Sequence, residues 1–154
     1  MTEVGDMAPV GAFLALDGNT RKISDYRGKS LILYFYPKDD TSGCTNEAQA
    51  FSELEREFTR AGAVVVGVSK DSVKSHNKFI HKYDLTVALG SDESGALCEA
   101  FGVWVEKSMY GRQYMGIERA TFLISADGRI VEVWRKVRVA GHAAAVLTAA
   151  QAIA

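Results

Sequence analysis

Leu31-Ile-Leu-Tyr-Phe-Tyr-Pro-Lys-Asp-Asp-Thr-Ser-Gly-Cys-Thr-Asn-Glu47 is the stretch whose reading decides the fold. Its first six residues are an unbroken apolar and aromatic run, the pattern of a strand covered on both faces. Pro37 ends that strand, because proline has no N–H to give to a central ladder. A polar, turn-forming segment, Lys38 to Gly43, follows, and Cys44 then opens a pattern of helical period. A cysteine is thus delivered to the first turn of a helix, past the carboxyl end of a buried strand, where open α/β sheets place their reactive groups. Helix-start N–H groups and the positive end of the helix dipole favour an anion at that place.

Outward from this stretch, Cys44, Ala48, Phe51, Leu54 or Glu55, Phe58 and Ala61 step by three and four and predict one amphipathic helix. Gly62 would cap its end. Val64 to Ser69 predicts a second buried strand, which makes a βαβ unit with a parallel pair. Asp71 or Ser72 caps a further helix carrying Val73, His76, Phe79, Ile80 and Tyr83. Leu85 to Leu89 reads as a third strand, and Ser91 to Phe101 as a short helix. The polar stretch from Val105 to Gly116 has no clear period and reads as a loop. Ile117 to Ser125 and Ile130 to Val137 predict two strands joined at Ala126-Asp127-Gly128. His142 to Ala154 is alanine-rich and predicts a terminal helix. On the other side, Val10 to Leu16 and Arg21 to Ile23 flank Asp17-Gly18-Asn19 and predict a short hairpin laid on the front of the domain. Residues 1–154 read as a single domain, with no repeat and no linker.

Composition narrows the class. Nearly half of the 154 residues are apolar, a quarter are charged and the net charge is -1. That balance gives no reason to expect nucleic acid or an acidic membrane surface. The first residues lack the basic and apolar parts of a signal peptide, and no run approaches the length of a membrane span, so the cytoplasm is the expected compartment. Two cysteines, Cys44 and Cys98, are too few for a disulfide scaffold and form no C-x-x-C.

The predicted element order is that of a thioredoxin-like fold: α/β, a central mixed sheet flanked by helices, with an N-terminal hairpin. Pro37, Thr41 and Cys44 form Pro-x-x-x-Thr-x-x-Cys, and Arg119 lies far downstream within Gly116-Ile-Glu-Arg-Ala-Thr-Phe122. This set resembles the active site of the peroxiredoxins. The wording from Phe35 to Glu47, with Lys107-Ser-Met-Tyr-Gly111 and Trp134-Arg-Lys-Val137, is similar to the bacterioferritin comigratory protein (PrxQ) subfamily over nearly the whole chain. The resemblance implies a thiol-dependent peroxidase that reduces hydrogen peroxide and organic hydroperoxides. It implies an external reductant (thioredoxin, glutaredoxin or a small thiol), no cofactor and a monomer.

The chemistry of these residue types agrees. The attacking sulfur must be ionised, and a free thiol is mostly protonated at neutral pH. A helix start and a guanidinium favour the thiolate, so Cys44 and Arg119 belong together. Negative charge then spreads over sulfur and both oxygens, and Arg119, the Thr41 hydroxyl and nearby N–H groups are the candidate donors. Pro37 would shape the loop and shield the sulfur. Glu47, one turn after Cys44, resembles the family's partner that holds the arginine; its rival reading is a solvated first-turn acid.

Cys98 has two readings. Members of the subfamily often carry a resolving cysteine five residues after the reactive one, where this chain has Gln49, or on the next helix, where it has Phe79, Ile80 and His81. Cys98 is then either a buried thiol between Leu97 and Phe101, which leaves a one-cysteine enzyme, or a resolving thiol reached by local unfolding. His76 and His81, five apart, face different ways and predict no metal site. His142 reads as a capping or solvated histidine, and Arg135, Lys136 and Arg138 as a solvated basic face. Two other functions compete: a thiol–disulfide oxidoreductase, which lacks the second cysteine because Thr41 and Glu47 hold the C-x-x-C partner positions, and a peroxide-sensing module that passes oxidation to a partner.

Overall fold

The computed structural model describes residues 2–154. Its strands are β1 (Ala12–Leu14), β2 (Thr20–Lys22), β3 (Ser30–Phe35), β4 (Ala63–Ser69), β5 (Ala88–Ser91), β6 (Trp104–Met109), β7 (Arg112–Ile117), β8 (Ala120–Ile124) and β9 (Ile130–Trp134). Its α-helices are α1 (Ser42–Glu53), α2 (Glu55–Arg60), α3 (Val73–Tyr83), α4 (Ala96–Ala100) and α5 (His142–Ala152). Seven strands form one sheet in the order β2-β1-β5-β4-β3-β8-β9. β3, β4 and β5 run parallel, β8 runs antiparallel beside β3, and β9 runs antiparallel to β8. The predicted mixed sheet with flanking helices is therefore the observed one.

Strand β3 lies centrally, and every one of its residues is buried. Because side chains alternate across a strand, it divides the core in two. Ile32, Tyr34 and then Tyr36 point to one face, where Cys44, Ala48, Phe51, Phe58, Phe79 and Val146 cover them. Leu31, Leu33 and Phe35 point to the other, against Leu97, Cys98, Phe101 and Phe122. Each fully buried phenylalanine contributes about 1.5–3 kcal/mol. Gly67 on β4 is a packing requirement, since a Cβ there would lie 2.4 Å from the Tyr34 ring.

Four expectations need correction. The predicted helix from Cys44 to Ala61 is two helices broken at Leu54, because Ser52 is diverted sideways. Its hydroxyl accepts the Thr86 and Val87 N–H groups, and its carbonyl accepts the Thr86 hydroxyl. The same contacts delay the third strand, which starts at Ala88 and not Leu85. The segment Val105 to Gly116 is not a loop. It is the β6–β7 hairpin, a two-stranded ribbon turned at Tyr110 and Gly111, both at positive φ. Most of its residues are exposed, so the alternation that marks a half-buried strand is absent from its sequence. Finally, the N-terminal hairpin does not merely lie on the front: β1 joins the main sheet beside β5, where Leu14 pairs with Ser91.

Candidate active site

The stretch after β3 builds the site. Tyr36 still bonds to β4 through its N–H on the Val68 carbonyl, and Pro37 then leaves the sheet at the surface. Asp40 takes a left-handed turn, φ 59°, and Thr41 becomes the N-cap of α1. The Thr41 carbonyl accepts the first intrahelical bond, from the Thr45 N–H at 2.8 Å, but its side chain does not cap the helix. The N–H groups of Ser42, Gly43 and Cys44 lie in the first turn and so have no acceptor within the helix. A helix start of this kind receives an anion. Cys44 is in that turn and buried.

Arg119 comes from the step between β7 and β8, where its carbonyl accepts the Val137 N–H. Its guanidinium spans two partners. Nη1 donates to Glu47 Oε1 at 2.7 Å, and Nη2 donates to Cys44 Sγ at 3.3 Å. The sulfur therefore lies between a guanidinium and an uncapped helix start. Gly43 makes the approach feasible, because a Cβ there would lie 3.2 Å from Nη2. The sequence singles out neither this close approach nor its glycine.

Glu47 is buried, so its rival reading as a solvated acid is excluded. Burial pushes its carboxyl up to about 7, against the pull of Arg119. Its second oxygen, the Tyr34 hydroxyl and the Thr45 hydroxyl are buried with no hydrogen-bond partner among the described residues. Burial holds the Tyr34 phenol well above its ordinary range, with further contributions from Glu47 and Cys44. Lys107, on the β6–β7 hairpin, is also drawn to this place. Burial lowers its amine below the ordinary range, Arg119 adds to that, and Cys44 opposes it.

Thr41 departs from its expected role as a donor. Its hydroxyl hydrogen is spent on the Lys38 carbonyl at 2.9 Å, which leaves the oxygen lone pairs to act as acceptors. Cys98 sits in α4 on the opposite face of the sheet from Cys44, with β3 between the two core clusters. The thiol is buried and held far above its ordinary range by burial, then by Asp92. Both cysteines are free.

The expectations for the histidines and the basic face change as well. His142 is neither solvated nor a cap: it is buried in the first turn of α5 and pairs with the Thr121 hydroxyl at 2.7 Å. Burial, then Arg119, lowers its imidazole to about 4, so the ring is neutral. His76 turns away from exposed His81, as expected, but it meets Asp39 and Asp71, and the three bring ligand-type atoms within 4.8 Å of one another. Arg135 is not merely part of a solvated face; it reaches the carbonyls of Gly102 and Thr2. Among the described residues no helix is long and apolar enough to cross a membrane.

Comparison with known proteins finds relatives over nearly the whole chain. Residues 4–133 match the model of the AhpC/TSA family. A peroxiredoxin Bcp of Xanthomonas campestris pv. campestris is 50% identical over 156 residues, covering 99% of this chain and 98% of its own. A peroxiredoxin Bcp of Bacillus subtilis is 48% identical, covering 94% and 92%. Among solved structures, the Xanthomonas campestris bacterioferritin comigratory protein, studied for its alkyl peroxide reduction activity, superimposes with a TM-score of 0.90 at 47% identity, covering 99% and 97%. BcpB from Mycobacterium tuberculosis gives 0.87 at 30% identity, covering 100% and 99%.

Proposed function

The chain belongs to the AhpC/TSA family as a peroxiredoxin of the Bcp (PrxQ) kind, and from that premise we propose a one-cysteine thiol peroxidase acting through Cys44. The observation that carries the reading is the guanidinium of Arg119 shared between Cys44 Sγ and Glu47 at an uncapped helix start. The Cys44 thiolate attacks one peroxide oxygen, the O–O bond breaks, and the leaving oxygen takes a proton to become water or an alcohol. Cys44 is left as a sulfenic acid. Arg119 and the first-turn N–H groups are in position to stabilise charge on the oxygens. Thr41, with its lone pairs free, accepts the peroxide O–H and orients it. Glu47 holds Arg119, and Pro37 closes the loop at the surface.

Two equivalents of an external thiol then complete the cycle. The first displaces water from the sulfenic acid and forms a mixed disulfide. The second releases the Cys44 thiol and a disulfide of the reductant. The position of Cys98 behind the sheet supports this external route over an internal one. Hydrogen peroxide and alkyl hydroperoxides are the substrates, thioredoxin, glutaredoxin or a small thiol the reductant, and a cytosolic monomer the working form; the free thiols fit a reducing compartment. Mixing the protein with peroxide, a thioredoxin or glutaredoxin system and NADPH tests the reading. Sustained NADPH consumption that disappears in Cys44→Ser is expected. A single equivalent consumed without turnover would instead mark a sensor.

A further inference from the structure

The loop that presents Cys44 is fastened to α3 at both ends of that helix. At its start, Asp39 uses every polar atom of its side chain. Oδ1 accepts from the Tyr36 hydroxyl at 2.6 Å, and Oδ2 accepts from the Ser75 hydroxyl at 2.8 Å while facing His76 Nδ1 at 2.8 Å. The Asp39 N–H donates to Asp71 Oδ2, which also accepts from Ser69. At the last turn of α3, Lys82 and the Tyr83 hydroxyl donate to Asp40. The Asp40 contacts are exposed, whereas the side chains of Asp39 and His76 are 4% and 1% exposed. An exposed pair adds little, so the buried clasp is the one able to fix the loop.

Proton counting gives the clasp its character. His76 Nε2 lies 3.0 Å from the Gly90 carbonyl, which can only accept, so Nε2 carries a hydrogen. Nδ1 faces a carboxylate oxygen that already accepts from Ser75. A second proton must therefore lie between Nδ1 and Oδ2, since two lone pairs at 2.8 Å in a buried site would repel. The groups facing the ring are Tyr36 at the end of β3, Asp39 of the loop, Asp71 of the β4–α3 connection and the Gly90 carbonyl of β5. Burial holds the Tyr36 phenol well above its ordinary range, so it remains a donor. Both Asp39 oxygens, Asp71 Oδ2 and both ring nitrogens of His76 are thus already engaged by hydrogen bonds.

We propose that Asp39 and His76 are positioning residues: a buried, doubly protonated imidazole–carboxylate clasp that ties residues 37–43 to α3 and so sets Thr41 and Cys44 against Arg119. The role rests on the peroxidase reading for its consequence but not for its existence. A loop displaced by about 1 Å costs on the order of 100-fold in rate. Asp39→Ala is expected to slow the reaction of Cys44 with peroxide by about 10- to 100-fold. Asp39→Asn is expected to stay within about threefold of the native rate, because its amide donates to a singly protonated His76 and still accepts from Tyr36. Nitrogen NMR of the histidine rings supplies a readout independent of activity. His76 should show two protonated nitrogens in the native protein at neutral pH and one in Asp39→Asn. A native ring with a single protonated nitrogen overturns the proposal whether or not Asp39→Ala folds, as does an Asp39→Asn enzyme about 10-fold or more slower than native. A native protein without peroxidase activity but with the doubly protonated ring would sink the enzymatic reading and leave the clasp standing.

Discussion

Replacing Glu47 by Gln separates what this buried acid does for the site from what it costs the fold. The Glu47 carboxyl moves from an ordinary value of 4.5 to about 7, through burial that outweighs the attraction of Arg119. That difference favours its neutral form by about 3 kcal/mol. Between pH 4.5 and 7 the folded chain keeps a proton that the unfolded chain has released. The stabilising share of Glu47 is therefore complete below pH 4.5 and lost as pH rises through 7. The amide introduced by Glu47→Gln cannot titrate, yet it can still accept from Arg119 Nη1, the bond seen at 2.7 Å. The stability of Glu47→Gln relative to the native protein should accordingly rise by about 3 kcal/mol between about pH 4 and pH 8.

Urea unfolding followed by tryptophan fluorescence at half-unit pH steps measures that difference, and other carboxylates cancel because both proteins share them. His142 supplies an internal contrast. Its imidazole is lowered to about 4 by burial and Arg119, so its contribution is present above pH 6.5 and lost as pH falls through 4. In the native protein the two slopes oppose each other between about pH 4.5 and 6.5, and Glu47→Gln should uncover the rising slope of His142. A difference between the proteins that stays constant within about 1 kcal/mol from about pH 4 to pH 8 would refute the assignment of burial as the dominant effect on Glu47.

Arg119→Lys should reduce the second-order rate with peroxide by about 100- to 1000-fold, because one ammonium cannot serve Sγ and Glu47 Oε1 in the fork seen here; stopped-flow fluorescence checks it, and a native rate would remove Arg119 from the chemistry. Cys98→Ser should leave turnover with dithiothreitol intact, and peroxide-treated native protein should carry a dimedone-trappable sulfenic acid on Cys44. A loss of two hydrogens in intact mass, with both cysteines in one linked peptide, would restore Cys98 as the resolving thiol. Gly67→Ala should cost about 1–3 kcal/mol in urea unfolding, since its Cβ meets the Tyr34 ring at 2.4 Å; unchanged stability would mean the ring moves freely.

The central strand and the βαβ unit are legible because each rests on a local pattern with a strong physical cause, whereas the meeting of Cys44 with Arg119, 75 residues apart, is legible through the family resemblance. An apolar run ended by Pro37 can hardly be anything but a buried strand. Other features are set by partners distant in sequence and leave no local mark. The helix breaks at Leu54 because Ser52 serves Thr86 and Val87, thirty-odd residues later, and nothing within the helix announces it. Among the described residues the β6–β7 hairpin has no third strand to bury one of its faces, so alternating polarity is not required of it and its sequence carries no period.

Asp39 shows the same limit at the site itself. In sequence it is one more polar residue in a turn, and the usual reading of Asp39-Asp40 is solvated turn chemistry. In the fold the two neighbours part: Asp40 turns out to exposed Lys82, while Asp39 turns in to His76. What decides between them is the position of α3, which passes beside the loop and offers His76 and Ser75 from its first turn. The loop is short and carries little apolar surface of its own, so it cannot be fixed by packing. Directed bonds to a neighbouring helix are the remaining means. The precision of a peroxide site built on such a loop then depends on residues that never touch the peroxide, and these are the ones a motif of Pro37, Thr41, Cys44 and Arg119 does not contain.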